Sequence, residues 1–416
     1  TYFADSLKNP NRLSPTNPMA LLDLKEDIGK VARYVTNVSV DYRLWFFPDL
    51  RANLNLGYDY SKGEGTVKIP TSASFSYNPI TGGGTNNEYN QTKKNELLEF
   101  YLNYVKEFGK SKFDVMGGYS WQHFFVENYS KNSDVAETPA ETVIKVEPRE
   151  YYLLSLFGRL NYSLQNKYLF TFTLRQDGSS RFGSENRYGV FPAFSAAWRL
   201  SSESFMANQT LFEDLKIRGG YGIMGNSNNV DPNNQYSLYG TTIGNSSYDI
   251  GGTNNSAQEG FFRSRIGNRS AQWERAVTSN VGIDALMMNG RLDVGVEFWR
   301  KDTKDLLFVP PVTVMTGYQA NAPSRNVGEM RNQGIDFSIT NKGRINADFS
   351  YEVTLNGGFL QNEIVALTDG VESLPNRSSE YRGVAPILNQ VGESLSSFYG
   401  FEVVGLFANA AAVDVA

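Results

Sequence analysis

The chain has 416 residues, a net charge of −5, 13% aromatic residues, a single histidine and no cysteine. These values exclude disulfides, thiol chemistry and a Cys-ligated metal, and they remove the electrostatic case for nucleic acid as a partner. No apolar run approaches the roughly 18 residues of a helical membrane span, while a mean hydropathy of −0.39 suits a sheet whose apolar residues occupy only alternate positions.

In chain order, strand-like segments are predicted at 31–44, 51–61, 95–108, 113–127, 151–165, 168–177, 189–200, 216–223, 278–287, 291–302, 334–341 and 345–357, with a thirteenth candidate at 397–407. Residues two apart share a strand face. In the second segment Leu54, Leu56, Tyr58 and Tyr60 alternate with Asn53, Asn55, Asp59 and Ser61. In the sixth, Tyr168, Phe170, Phe172 and Leu174 alternate with Thr171, Thr173 and Arg175. The tenth sets Leu292, Val294, Val296 and Phe298 against Arg291, Asp293 and Glu297. The twelfth sets Phe349, Tyr351, Val353 and Leu355 against Ser350, Glu352, Thr354 and Asn356. One such segment is common in any protein. A dozen of them point to an all-β fold, a transmembrane antiparallel β-barrel with lipid on one face and a water-filled lumen on the other.

The connectors between these segments alternate in length. Short ones lie at 45–50, 109–112, 166–167, 288–290 and 342–344, where Asn-Gly and Lys-Gly elements supply the positive φ of tight hairpins. The exception is 201–215, where Glu203 to Leu215 is expected to form a short helix. Long ones lie at 62–94, 128–150, 178–188, 224–277, 303–333 and 358–396. In a bacterial barrel short turns face the periplasm and long loops face outside. Tyr42, Trp45, Phe46, Phe108, Phe113, Tyr168 and Trp198, close to the short turns, then form a periplasmic aromatic girdle. The chain opens at Thr1 without a charged or apolar leader and ends at Ala416 without a terminal aromatic, so it reads as an internal segment of a longer protein.

Several runs resemble the SusC/RagA family of TonB-dependent outer-membrane transporters of Bacteroidetes. The strongest is Asn166 to Trp198, NKYLFTFTLRQDGSSRFGSENRYGVFPAFSAAW, in which a turn, a strand, an Asp-Gly-Ser-Ser-Arg-Phe-Gly loop and a second strand entry follow in the family's order. LKIRGGYGIMGN (Leu215 to Asn226), Trp273-Glu274 followed by SNVGIDALMMNGRLDVGVEFWRKDTKDLL, NVGEMRNQGIDFSI (Asn326 to Ile339) and VGESLSSFYGFEVVGLF (Val391 to Phe407) match later landmarks. The match covers 166–407 well; before it, NPMALLD (Asn17 to Asp23) is the only local cue. The resemblance implies a barrel of about 22 strands with an N-terminal plug and a SusD-like surface lipoprotein as lid. It also implies TonB as energy source and an oligosaccharide or oligopeptide as cargo. Residues 1–416 would then be part of one barrel domain whose plug and terminal strands lie outside this chain. The residues leave open whether two transporter–lipoprotein pairs assemble.

Asn53, Asn55, Asn103, Arg159, Asn161, Thr171, Thr173, Arg175, Asp293, Glu297 and Glu352 are expected to line the lumen, and their mixed signs argue against a single-charge filter. Tyr236, Tyr239, Tyr248, Phe261, Phe262, Trp273 and Tyr318, in long connectors, are expected to meet substrate or lid, since aromatic faces stack on sugars and are enriched at interfaces. Asp177, Gly178, Ser179, Ser180, Arg181, Phe182 and Gly183 read as a tight rim loop, with Arg181 pairing a neighbouring loop carboxylate. His123 shares a face with Tyr119 and Trp121 and is assigned a structural place near the outer rim; with no second histidine, a triad or zinc site has no basis. Asp177, Glu185 and Asp231 lie in or near loops, but no spacing singles out the carboxylate pair of a glycosidase, so no catalytic residue is assigned. Asn226 to Asn234 lacks the spacing of an EF-hand loop, so a turn is expected there and calcium is the minor reading. Energy-coupled import is the leading function, with a glycan-gripping surface β-protein or a small passive pore as the alternatives.

Overall fold

The structure is a computed structural model. It describes residues 16–400 except 79–81, 140–141, 242–245, 253–256, 259, 310–319, 368–370 and 377–385, together with 402 and 405. Twelve long strands, paired in sequence order, make one antiparallel sheet: β1 (Glu26–Arg43), β2 (Leu50–Ile69), β3 (Thr85–Phe108), β4 (Ser111–Asn132), β5 (Val143–Leu164), β6 (Tyr168–Ser179), β7 (Tyr188–Arg199), β8 (Phe212–Asn226), β9 (Glu274–Met287), β10 (Leu292–Lys304), β11 (Glu329–Arg344) and β12 (Ser350–Ala366). Sequence-order pairing needs only hairpins, and the predicted turn chemistry supplies them. Gln165 and Asn166 both take positive φ (55° and 56°), as do Met288, Asn289 and Gly290, which closes the β5–β6 and β9–β10 connections tightly.

The strands outrun the predicted segments. β2 runs to Ile69 and β3 starts at Thr85, so the long connector expected over 62–94 shrinks to 70–84. The added rungs pair polar residues, such as Lys62 with Thr92 and Glu64 with Asn90. Ladder bonds come from the backbone, so a strand continues past the level where apolar alternation stops. For the same reason β4 reaches Asn132, β5 begins at Val143 and β11 begins at Glu329.

Two expectations fail. In place of a helix over Glu203 to Leu215 there are two single 3₁₀ turns, Leu200–Ser202 and Ser204–Met206, and β8 already begins at Phe212. Serine and asparagine side chains there compete for backbone bonds, and so short a stretch cannot offset helix nucleation. The thirteenth strand is reduced to Ser397–Phe398, which joins Ser373–Asn376 and Ile387–Gln390 in a separate small sheet. Most of 401–407 lies outside the described residues. The early cue at Asn17 is a helix start: the Asn17 side chain accepts the Met19 N–H at 3.0 Å and caps Pro18–Leu24.

The chain divides into two compact units. The first holds Thr1–Lys106, Asp114–Gly158 and Arg175–Arg181, and the second holds Glu107–Phe113, Arg159–Leu174 and Phe182–Ala416. In each, register sorts side chains into an apolar and a polar face. In the first unit Val38, Leu56 and Leu98 stand in one row across β1, β2 and β3. In the second, Ile217, Ile283, Val296 and Phe337 stand in one row across β8, β9, β10 and β11. These apolar rows are largely uncovered, with Phe172 47% and Leu355 60% exposed. The buried core lies elsewhere, where the connector residues Phe182, Val230, Ala271, Trp273 and Leu307 pack with Phe191 near the start of β7.

Candidate functional site

The polar faces are bonded laterally, strand to strand. In the first unit Asn37 donates to Asn55 (2.8 Å), Asn55 donates to Glu99 (3.2 Å), and Ser120 donates to the same carboxylate at 3.5 Å. Asp59 accepts from Arg33 at 2.9 Å and from Asn95 at 3.3 Å, and Asn103 donates to Asp114 at 2.7 Å. Arg175 reaches Asp177 (2.6 Å) and the buried Ser155 hydroxyl (2.7 Å). Asn53 lies opposite Asp41 and Tyr101, two residues along from Asn55.

In the second unit Arg159 donates to Thr173 (3.3 Å) and Thr171 to Asn161 (2.9 Å). Arg218 bridges Asp284 and Glu297, Lys216 pairs with Asp284 at 2.9 Å, and Asn280 donates to Glu297 at 3.0 Å. Asp293 lines the same concavity as Arg218 and Glu297, while Glu352 lies directly opposite Lys342. Every residue expected to line the lumen therefore sits on the polar face of its own unit. The register also shows what periodicity missed. Tyr101, Phe124, Tyr151 and Phe157 of β3, β4 and β5 share the polar side: Tyr101 faces Phe157 at 6.5 Å and Phe124 stacks on Tyr151 at 4.7 Å. The only sequence signal was a local break in alternation, as at Phe124-Phe125 and Tyr151-Tyr152-Leu153-Leu154.

The long connectors carry the loop aromatics. Tyr236, Tyr239, Tyr248 and Phe261 are exposed, the last to 78%, and Phe262 is half-buried in the short strand Phe262–Arg265. Tyr318 lies outside the described residues. Trp273 departs from its expected contact role. It is 8% exposed, packs against Phe182 (5.1 Å) and Phe191 (5.5 Å), and donates its indole N–H to the Arg187 carbonyl. A large ring beside two other rings gains more from mutual burial than from exposure. The connectors are also tied by polar bonds. Asn234 exchanges two hydrogen bonds with the Ser324 backbone (2.8 and 3.1 Å), and Asn268 donates to the same carbonyl. Asp231 of the weighed calcium loop accepts from Arg265 at 2.6 Å and from the Asn233 N–H at 2.8 Å, which closes a turn.

The Asp177–Gly183 motif is divided between two settings. Asp177, Gly178 and Ser179 finish β6, so the rim loop begins only at Ser180, whose hydroxyl accepts the Tyr152 N–H at 2.9 Å. Arg181 lies over the Tyr151 ring at 3.8 Å, Phe182 is fully buried, and Gly183 runs close under the Arg269 backbone. His123 sits between Glu96 (2.8 Å) and Glu150 (2.7 Å) and stacks on Tyr152 at 4.5 Å, a fully occupied structural position. At the short-connector end, Glu203 accepts from Lys167 (3.1 Å), the Tyr168 hydroxyl (2.7 Å) and the Trp198 indole (3.1 Å). The Tyr168 hydroxyl, the Trp198 indole and the Lys167 ammonium hold its carboxyl down at about 2. The polar tips of two aromatics expected in the girdle are thus tied to one carboxylate. Among the described residues no cluster of three His, Asp or Glu side chains is arranged to hold a metal ion.

Comparison with known proteins fits this geometry. The family model described as "TonB dependent receptor-like, beta-barrel" matches residues 1–400. The chain is 35% identical over 408 residues to the TonB-dependent receptor SusC of Bacteroides thetaiotaomicron, covering 95% of this chain and 40% of that protein. It is 29% identical to TonB-dependent receptor P3 of Formosa agariphila, over 98% of this chain and 40% of that protein. Among solved structures, the RagAB peptide transporter superposes with a TM-score of 0.77 at 21% identity, covering 91% of this chain and 41% of that chain. The chain thus spans about 40% of the length of the curated relatives it matches.

Proposed function

This chain belongs to the TonB-dependent receptor-like β-barrel family, with SusC/RagA-type character, and from that premise we propose that it is barrel wall of an energy-coupled importer. The family places it in the bacterial outer membrane. One observation supports the reading above the rest: each unit's apolar rows are uncovered while its polar rows are bonded laterally. A chain with lipid on one side and a polar interior on the other leaves Phe172, Phe298 and Leu355 in the open. In this reading residues 1–416 are one stretch of a single barrel domain. The importer works with a SusD-like surface lipoprotein and draws energy through TonB. Its cargo is an oligosaccharide or oligopeptide too large for a passive pore, and the exposed Tyr236, Tyr239, Tyr248 and Phe261 meet cargo or lid.

The test is uptake in cells that carry the full-length protein, with and without TonB. Uptake that vanishes without TonB supports the importer. Uptake independent of TonB would replace it with a passive pore, and cargo binding with no uptake would replace it with a surface binding protein.

A further inference from the structure

In the second unit residues 200–211 join β7 to β8 at the end where the neighbouring connections are tight turns. This connector is fixed along its length. The Arg199 N–H donates to the Lys167 carbonyl at 2.8 Å, which sets the connector beside the β5–β6 turn. The Met206 N–H donates back to the Glu203 carbonyl at 3.0 Å, and Gln209 exchanges two side-chain bonds with the Phe212 backbone (2.6 and 2.7 Å). Glu203 decides which way the connector leaves the sheet. Its carboxylate takes the Tyr168 hydroxyl and the Trp198 indole, whose rings stack at 6.3 Å. Trp198 lies opposite Ile217, in the apolar row that continues through Ile283, Val296 and Phe337. The connector is therefore fastened on the apolar side of the sheet, the side that meets lipid.

On this fixed frame two large apolar side chains are turned out. Phe205, just past Glu203, is 67% exposed, and Leu211, just before β8, is exposed as well. Holding an apolar ring in order in water has a cost and no return, so a site of this kind calls for apolar cover. The charge pattern says what the cover is. Glu203 is the only ionisable side chain in 200–211, and the Lys167 ammonium neutralises it at 3.1 Å. The remaining polar groups, on Ser, Asn, Gln and Thr, are neutral. Such a stretch offers a charged partner nothing to pair with and loses little on entering the headgroup layer, the level at which Tyr and Trp concentrate. It also continues a face that lipid already covers, so lipid reaches Phe205 without any new surface being cleared.

We propose that 200–211 is an interfacial foot on the inner leaflet of the outer membrane, with Phe205 and Leu211 set among the acyl chains just beneath the phospholipid headgroups and Glu203 as the tether that turns them there. The foot fixes the depth at which β7 and β8 cross the bilayer. Moving the wall one way pulls an apolar ring into water, and moving it the other way drives the Glu203–Lys167 pair into hydrocarbon. The inference rests on the family's outer-membrane placement and is independent of what the protein imports.

The test uses the full-length protein with a single cysteine at Ala207→Cys, an exposed position beside Phe205, labelled with a small fluorophore. The chain has no cysteine of its own, and any elsewhere in the full-length protein is replaced by serine. The protein is placed in phosphatidylcholine vesicles containing lipid spin-labelled either near the headgroup or at mid-chain. Lipid should quench the label at 207 several-fold more than the same label at Asn229→Cys, an exposed position in the long connector after β8. The shallow spin label should quench it more than the deep one. With Phe205→Ser and Leu211→Ser added, quenching at 207 should fall several-fold; both side chains are exposed, so the strands stay folded. Quenching at 207 no greater than at 229 overturns the foot, because the purified protein holds no other partner to cover Phe205. Unchanged quenching in the double-serine variant overturns it too, since lipid would then lie close without those side chains. Stronger quenching by the mid-chain label would overturn the interfacial depth.

Discussion

Phe172 and Phe182 are the same residue ten positions apart, and they meet opposite fates: Phe172 on β6 is 47% exposed and Phe182 in the following connector is fully buried. Other pairs repeat the contrast. Val281, Phe298 and Leu355 on strands are open, while Trp273, Val230 and Leu307 in or beside connectors are covered. The difference shows which solvent each region meets. A strand face in lipid needs no protein cover, because hydrocarbon already satisfies it. The long connectors meet water, and some of their apolar residues, Phe182, Val230 and Trp273 among them, gather in a small core.

The largest effect is expected from Trp273→Ala. Removing a ring packed against Phe182 and Phe191 should cost the connector cluster about 3–5 kcal/mol. Hydrogen exchange should show lost protection at Asn234, Asn268 and Ser324, with the strands unchanged. Strands that loosened in step with the connectors would show that the cluster is not a core of its own.

Next is the strand face. Phe172→Arg should destabilise the full-length protein by about 2–4 kcal/mol in bilayers, whereas the neighbouring Thr173→Arg should be nearly neutral. Reversible unfolding from vesicles measures both, and equal tolerance would remove the lipid assignment. A related expectation is that the isolated 416-residue chain aggregates, because β1 and β12 end the sheet order with unpaired edges among the described residues.

A smaller effect is expected on the polar face. Arg218→Met leaves Asp284 and Glu297 without their shared cation and should cost about 1–3 kcal/mol, read by the same unfolding assay. The smallest concerns pH. The Glu203 carboxyl is held at about 2 against an ordinary value of 4.5, so its ties to Lys167, Tyr168 and Trp198 stabilise the fold fully above 4.5. That contribution is lost as pH falls through about 2. Wild type and Glu203→Gln should therefore differ in melting temperature at pH 6 and converge toward pH 2; a gap that does not change with pH would assign the effect to shape instead of charge.

Much of this architecture was legible in the chain. Alternation identified twelve strands, assigned Asn55, Thr171, Thr173 and Glu297 to the polar face, and placed the tight hairpins near Asn166 and Asn289. Strand ends were not legible, because β2 and β3 extend through polar residues such as Lys62 and Thr92, where backbone pairing carries on without an apolar pattern. The helix expected after Glu203 failed because local propensity was too weak to outweigh the start of β8 at Phe212.

By itself, then, the sequence determined which faces each strand presents and the rhythm of its connectors, since both depend on residues a few positions apart. Tertiary structure alone decided which aromatics serve packing and which remain free. Trp273 is buried because Phe182, 91 positions earlier, returns to meet it, while Tyr239 and Phe261 remain exposed. Burial arises from contacts between distant segments, and a period of two residues carries no record of them.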